Sequence, residues 1–231
     1  MECPPLTPGR LIRRYKRFLA DVELDDGRIV TAHCPNSGSL AGCLGQGWPV
    51  LLSHAPSPRR KLEWTWELVH NGRCWIGINT HRANRLAAEA IRSGAVPGIA
   101  PDAPLLGEVR YGKSRVDLVA GPGPSLRYVE VKNVTMVDGD GYAAFPDAPT
   151  ARGLKHLREL VTVRRLGHRA TVLFMVQRTD CRAFRPARSI DPRFADGLAA
   201  AAAEGVEVAA LLVTIDPPRC TVTGTLPVEL A

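Results

Sequence analysis

Residues 170–178, ATVLFMVQR, are apolar at nearly every position up to Gln177. A strand with one wet face alternates apolar and polar side chains, whereas a strand covered on both faces has no need to. Such a strand needs helices on both sides of its sheet, and the neighbouring sequence supplies them. HRANRLAAEAIRSG places Leu86, Ala87, Ala90 and Ile91 on one stripe, with Gly94 as the stop signal. RGLKHLRELVTVRRLG spaces Leu154, Leu157, Leu160 and Val161 as one face and ends at Gly167. RFADGLAAAAAEGVEVAALLV adds another helix and strand. Three strand-like runs, LLGEVRYG, SRVDLVA and LRYVEVKNV, lie between the first two helices, the last two joined by GPGPS, read as a hairpin linker. The order helix, three strands, helix, strand, helix, strand predicts an α/β domain with a mixed sheet over residues 81–231.

Residues 1–80 follow another pattern. RRYKRFLADVEL and RIVTAHC flank Asp25-Asp26-Gly27, and EWTWELVH and RCWIGIN flank Asn71-Gly72, both hairpin turn signals. WPVLLSH adds a strand after the Gly-rich GSLAGCLGQG. Five short strands with few helices predict a five-stranded, OB-like β-barrel, a small sandwich being the alternative. The fold class expected for the whole chain is therefore mixed α+β, an OB-like barrel followed by an α/β domain.

Lys and Arg number 30 against 23 Asp and Glu, for a net charge of +7. That excess favours a polyanionic partner. The six cysteines show no C-x-x-C pair and no regular spacing, which excludes a zinc site or a disulfide framework as the organising device. MECPPLTPGRLIRRYKR lacks an apolar core of the signal-peptide kind, and no stretch approaches the roughly 20 apolar residues of a membrane span. The expectation is a soluble cytoplasmic protein that makes no membrane contact, with a homodimer left open.

The candidate chemistry centres on YVEVKN. Residues two apart in a strand share a face, so Glu130 and Lys132 lie side by side while Val129 and Val131 face the other way. Asp117 in SRVDLVA stands where pairing of the two strands would bring it to Glu130. Two converging carboxylates are hard-oxygen ligands for Mg²⁺ or Mn²⁺, and a neighbouring lysine can orient water or pair with a developing anion, the requirements of metal-assisted phosphodiester hydrolysis. An E-x-K pair by itself also fits the wet face of any half-exposed strand. The spacing D-x₁₂-E-x-K resembles the PD-(D/E)XK nuclease superfamily, with Val116 in place of the proline that names the motif. That resemblance implies catalytic roles for Asp117, Glu130 and Lys132, a metal-ligating helical carboxylate at Glu89 in RLAAEAI, and a site glutamine at Gln177.

GRLIRRYKRFLADV, TAHCPNSGSLAGC, KLEWTWELV, INTHRAN, SRVDLV, YVEVKNVT, FPDAPTARGLKHLREL and SIDPRF together resemble the sugar fermentation stimulation protein A family over almost the whole chain. The resemblance implies an N-terminal OB-like domain, a PD-(D/E)XK-like domain, DNA binding and a link to expression of sugar-utilisation genes. It leaves two roles open: a divalent-metal-dependent endonuclease, or a DNA-binding regulator that keeps only the nuclease fold. Pro149, where Val is expected in FPDAVT, and Leu40, where Met is common, depart from the family pattern.

Three basic stretches are expected to meet DNA. In RRYKR, alternate members Arg13, Tyr15 and Arg17 would share a strand face, with Arg14 and Lys16 beside them. Arg59, Arg60 and Lys61 form a basic loop, and Arg152, Lys155 and His156 follow a helix start at which Thr150 or Asp147 is the expected cap. Trp64 and Trp66 could stack on bases or fill the barrel core. CPNSGSLAGC lacks a nucleophile elbow and is expected to be a structural loop beside the site.

Overall fold

The computed structural model describes residues 1–111, 114–122 and 126–230. Gly123, Pro124 and Ser125, the last three residues of the GPGPS linker, lie outside the described residues. The first strands are β1 (Leu6–Tyr15), β2 (Leu19–Leu24), β3 (Ile29–His33), β4 (Pro49–His54) and β5 (Trp64–His70). They pair in the order β3-β2-β1-β4-β5, and β5 returns to β3 in parallel, closing a five-stranded OB barrel. Closure leaves no unpaired edge, and the interior is filled by Leu11, Val22, Leu52 and Trp66 among others. A short β6 (Trp75–Gly77) pairs with β5 outside the closed ring.

One expected strand breaks in two. RRYKRFLADVEL turns back at Lys16 and Arg17, whose φ angles of 48° and 63° make a tight hairpin between β1 and β2. Hairpin loops normally signal themselves with Gly, Asn or Asp where φ is positive, and the three-residue loop Lys16, Arg17 and Phe18 carries no such mark. Arg17 consequently sits in the turn and does not continue the face shared by Arg13 and Tyr15.

The second domain begins with α1 (His81–Arg92) and the antiparallel strands β7 (Leu105–Tyr111), β8 (Ser114–Ala120) and β9 (Arg127–Val134). Then come β10 (Met136–Val137), β11 (Tyr142–Phe145), α2 (Ala151–Arg165) and β12 (Arg169–Val176). The chain ends with β13 (Ala183–Pro186), α3 (Pro192–Ala203), β14 (Glu207–Asp216) and β15 (Arg219–Leu226). The main sheet runs β15-β14-β12-β9-β8-β7, with β9, β12 and β14 parallel. The small sheet β10-β11-β13 and the edge strand β15 add to the expected element order. β10, β11 and β13 are too short to carry a readable period.

Both faces of β12 are covered, as its apolar run requires. Leu173 and Met175 pack with Leu86, Ala87 and Ile91 of α1 and with Leu68 of the barrel, so α1 is wedged between barrel and sheet. Val172, Phe174 and Val176 face Leu157, Leu160, Phe194 and Leu198 of α2 and α3. Each large side chain so buried contributes on the order of 1.5–3 kcal/mol. The Thr150 hydroxyl caps α2 by accepting from Gly153 N at 3.0 Å, and Asp191 caps α3 by accepting from Phe194 N at 2.9 Å. No helix among the described residues is long and apolar enough to cross a membrane.

The domains are fastened by polar contacts as well. Asp147 Oδ2 accepts from Leu40 N at 3.0 Å, Asp180 accepts from Asn71 Nδ2 at 2.8 Å, and Gly77 N donates to the Gln177 carbonyl at 3.0 Å. CPNSGSLAGC is thus a structural loop held against the loop that leads into α2.

Candidate active site

The ladder between β8 and β9 runs from Ala120↔Arg127 to Leu118↔Val129 and stops there. The next residues in that register are Asp117 and Glu130. Where the strands part, the Asp117 carboxylate takes the place of a ladder carbonyl: Oδ2 accepts from Val131 N at 2.8 Å, and Oδ1 accepts from Asn84 Nδ2 of α1 at 3.0 Å. Glu130 is 4% exposed. Its Oε1 accepts from Lys132 Nζ at 2.6 Å and from His156 Nδ1 of α2. Arg152 Nε donates to His156 Nε2 at 3.4 Å, which assigns the proton to Nδ1 and orients the ring toward Glu130.

The two carboxylates are driven apart in acidity. Burial, then the nearby Glu130 charge, raise the Asp117 carboxyl above its ordinary value, against the hydrogen bonds from Val131 and Asn84. Burial also opposes ionisation of Glu130, but hydrogen bonding from His156 and the Lys132 charge outweigh it and hold its carboxyl below its ordinary value. A buried pair of mutually repelling carboxylates fits a hard divalent cation, which usually takes one or two carboxylates and keeps several waters. Among the described residues no set of three or more His, Cys, Asp or Glu converges, so Asp117 and Glu130 are the whole of the carboxylate donor set here.

Two expected members lie elsewhere. Glu89 pairs with the N-terminal amine at 2.7 Å and with Arg85 at 3.3 Å. It follows Asn84 by five residues, about 140° around the helix at 3.6 residues per turn, so Asn84 is the α1 residue that reaches Asp117. Gln177 lies past the end of β12, whose Val172 is the partner of Glu130. Five residues of strand, roughly 16 Å, separate that level from Gln177, which instead donates to Asn133 Oδ1 and packs against Gly77. Asn84 was hidden in INTHRAN, where its place at the edge of the α1 stripe was the available signal.

The basic residues divide into three groups. Arg152 and Lys155 are exposed and, with Arg110 and Arg115, line an open cleft of ≈ 840 Å³ bordered by Asp117 and His156. His156, expected on a DNA-facing surface, is 7% exposed and serves Glu130 instead. In the β1 hairpin, Arg13 and Tyr15 both hold Asp21, at 2.9 and 3.2 Å. Arg14 is not a phosphate ligand: its guanidinium donates to the carbonyls of Arg17, Asn36, Gly38 and Ser39. Lys16 and Arg17 are exposed at the turn. Arg59 and Lys61 are exposed too, while Arg60 donates to Thr65 Oγ1 at 2.6 Å and borders a separate cleft with His33, His54 and Arg82. Trp66 is fully buried in the barrel, and Trp64 is half-buried and stacked on His54.

A second cleft, ≈ 400 Å³, opens between barrel and sheet, lined by Arg17, Asn36 and Ser37 on one side and Asn84, Lys132 and Asn133 on the other.

Comparison with known proteins agrees with this architecture. Residues 12–78 match the SfsA N-terminal OB domain, and residues 81–219 match the sugar fermentation stimulation protein RE domain. A sugar fermentation stimulation protein homolog from Geotalea uraniireducens is 53% identical over 232 residues, covering 100% of each chain. One from Geobacter sulfurreducens is 52% identical over 225 residues, covering 97% of this chain and 96% of that one. The structure of Pyrococcus furiosus SfsA in complex with Ca²⁺ superposes with a TM-score of 0.90 at 28% identity, covering 99% of this chain and 98% of that one. On barrel, sheet and sequence alike, the chain belongs to the sugar fermentation stimulation protein (SfsA) family.

Proposed function

We propose that the protein is a divalent-cation-dependent nuclease that hydrolyses phosphodiester bonds of DNA. The observation that carries this reading is the meeting of Asp117 and Glu130 at the parting of β8 and β9, with Lys132 on Glu130 and a basic cleft alongside. Asp117 and Glu130 would hold Mg²⁺ or Mn²⁺, and the Ca²⁺ bound by the Pyrococcus furiosus relative supports a hard-cation site in this fold. Such a cation, when bound, polarises a phosphate oxygen and lowers the pKa of bound water.

The chain's own groups do the rest. Asn84 and the Val131 amide fix both oxygens of Asp117, so the carboxylate meets a ligand preorganised. His156 is a positioning residue that keeps Glu130 ionised and oriented. Lys132, half-buried and held by one contact to Glu130, stands where its ammonium can orient water or neutralise the phosphate. Arg110, Arg115, Arg152 and Lys155 supply sequence-independent attraction for a phosphate backbone, and the OB barrel adds a second nucleic-acid-binding surface.

The test is incubation of the protein with end-labelled single-stranded, duplex and branched DNA in Mg²⁺, Mn²⁺ or EDTA, beside Asp117→Asn and Glu130→Gln. Cation-dependent cutting abolished in both variants is expected. Binding without cutting in either cation would sink the catalytic reading and leave a DNA-binding regulator, the role that fits the relatives' association with sugar fermentation.

A further inference from the structure

The polar cleft between barrel and sheet is the feature that the proposed nuclease reading leaves without a role. We propose that it is a subsite for one unpaired nucleotide of the strand, an inference that rests on the nuclease reading and narrows its substrate to nucleic acid offering a strand end or a displaced nucleotide.

Position is the first argument. Asp117 borders the wide basic cleft, whereas its two hydrogen-bond donors, Asn84 and Val131, border the narrow one, as does Lys132. A strand lying across Arg110, Arg115 and Arg152 and passing Asp117 therefore delivers its next nucleotide to the narrow cleft. At ≈ 400 Å³ this space is at the small end of ligand pockets, which run roughly from 300 to 1,000 Å³, enough for one nucleotide and not for stacked base pairs.

Chemistry is the second. Arg17 and Lys132, the latter also holding Glu130, supply cations for a phosphate, while Asn84 Oδ1 and the Ser37 hydroxyl line the space as hydrogen-bonding groups for an unpaired base. Arg17 makes no ion pair among the described residues, in contrast to Arg13 on the same hairpin. It also holds a φ of 63° without being glycine, a strained state that persists only where the surroundings impose it.

Rigidity is the third. Arg14 gathers the carbonyls of Asn36, Gly38 and Ser39, and Asp147 takes the Leu40 amide from the opposite loop. A Cβ on Gly38 would lie 2.2 Å from the Asp147 carboxylate, so only glycine permits this closeness. The wall is built before any ligand arrives.

The experiment is isothermal titration of deoxynucleoside 5′-monophosphates, and separately of inorganic phosphate, into the full chain in EDTA, using wild type, Glu89→Gln, Arg17→Ala and Ser37→Trp of matched thermal midpoint. Wild type and Glu89→Gln are expected to bind the nucleotide equally, and Arg17→Ala and Ser37→Trp to weaken it by about tenfold or more, Arg17→Ala by the worth of one charge-assisted hydrogen bond. Absence of nucleotide binding, binding indifferent to both cleft substitutions, or phosphate binding as tightly as the nucleotide would each overturn the proposal. Because no cation is present, nucleotide binding in a protein that never cuts DNA would leave the subsite standing and remove only the catalytic reading.

Discussion

Replacing Asp180 by alanine should loosen the joint between the domains more than any surface charge change. Arg178 is 4% exposed, and its guanidinium donates through Nε and Nη2 to Asp180 at 2.6 and 2.7 Å and through Nη1 to the Thr135 carbonyl at 2.6 Å. Asp180 in turn accepts from Asn71 in the barrel's last hairpin. Removing the carboxylate leaves a buried cation with one neutral partner, a loss of about 3–5 kcal/mol. At roughly 2–4 °C per kcal/mol for a chain of this size, the midpoint should fall by about 6–20 °C. The pH dependence supplies a second signature. Burial works against ionisation of Asp180, but Arg178 and Asn71 hold its carboxyl far below the usual range. A depressed folded pKa gives stability that is full above the unfolded value, about 3.9, and declines as pH falls toward the folded one. The gap between wild type and Asp180→Ala, followed by urea denaturation from pH 7 downward, should therefore be constant to about pH 5 and narrow below about pH 4. Arg178→Met combined with Asp180→Leu should recover most of the loss. A single-variant cost under about 1 kcal/mol, or a gap that widens as pH falls, would refute the reasoning.

Gly77→Ala places a Cβ 2.2 Å from the buried Gln177 amide oxygen, and should cost about 1–3 kcal/mol by thermal denaturation. Arg14→Lys cannot span four carbonyls with one ammonium, and should raise amide hydrogen exchange in residues 36–40 while the barrel strands stay protected. Glu89→Gln should leave any DNA cleavage at the wild-type rate, because its carboxylate is engaged by the N-terminal amine and the exposed Arg85, on a different side of α1 from the Asn84 that reaches Asp117. A tenfold or larger rate loss in Glu89→Gln would return that residue to the site.

The sequence disclosed what strong local rules write. Asp25-Asp26-Gly27 and Asn71-Gly72 announced their hairpins, and the unbroken apolarity of residues 170–176 announced a strand covered twice over, which α1 on one side and α2 with α3 on the other provide. The meeting of Asp117 with Glu130 followed from strand alternation and the length of the linker. What escaped depended on tertiary context. The Lys16-Arg17 turn uses residues that rarely take positive φ. The helical contribution came from Asn84 and not Glu89, because which edge of an apolar stripe faces the strand ends is decided by how α1 is wedged against the barrel. His156 looked like a surface cation until α2 packed it onto Glu130, and Arg14 looked like a phosphate ligand until the 36–39 loop folded over it.

The most direct measurement of the central claim is a Mn²⁺ titration followed by water-proton relaxation, on wild type, Asp117→Asn and Glu130→Gln. The account predicts one Mn²⁺ site per chain, displaced by Mg²⁺ and lost in both variants with the fold intact by circular dichroism. Equal Mn²⁺ binding by all three proteins, or none by wild type, would contradict it.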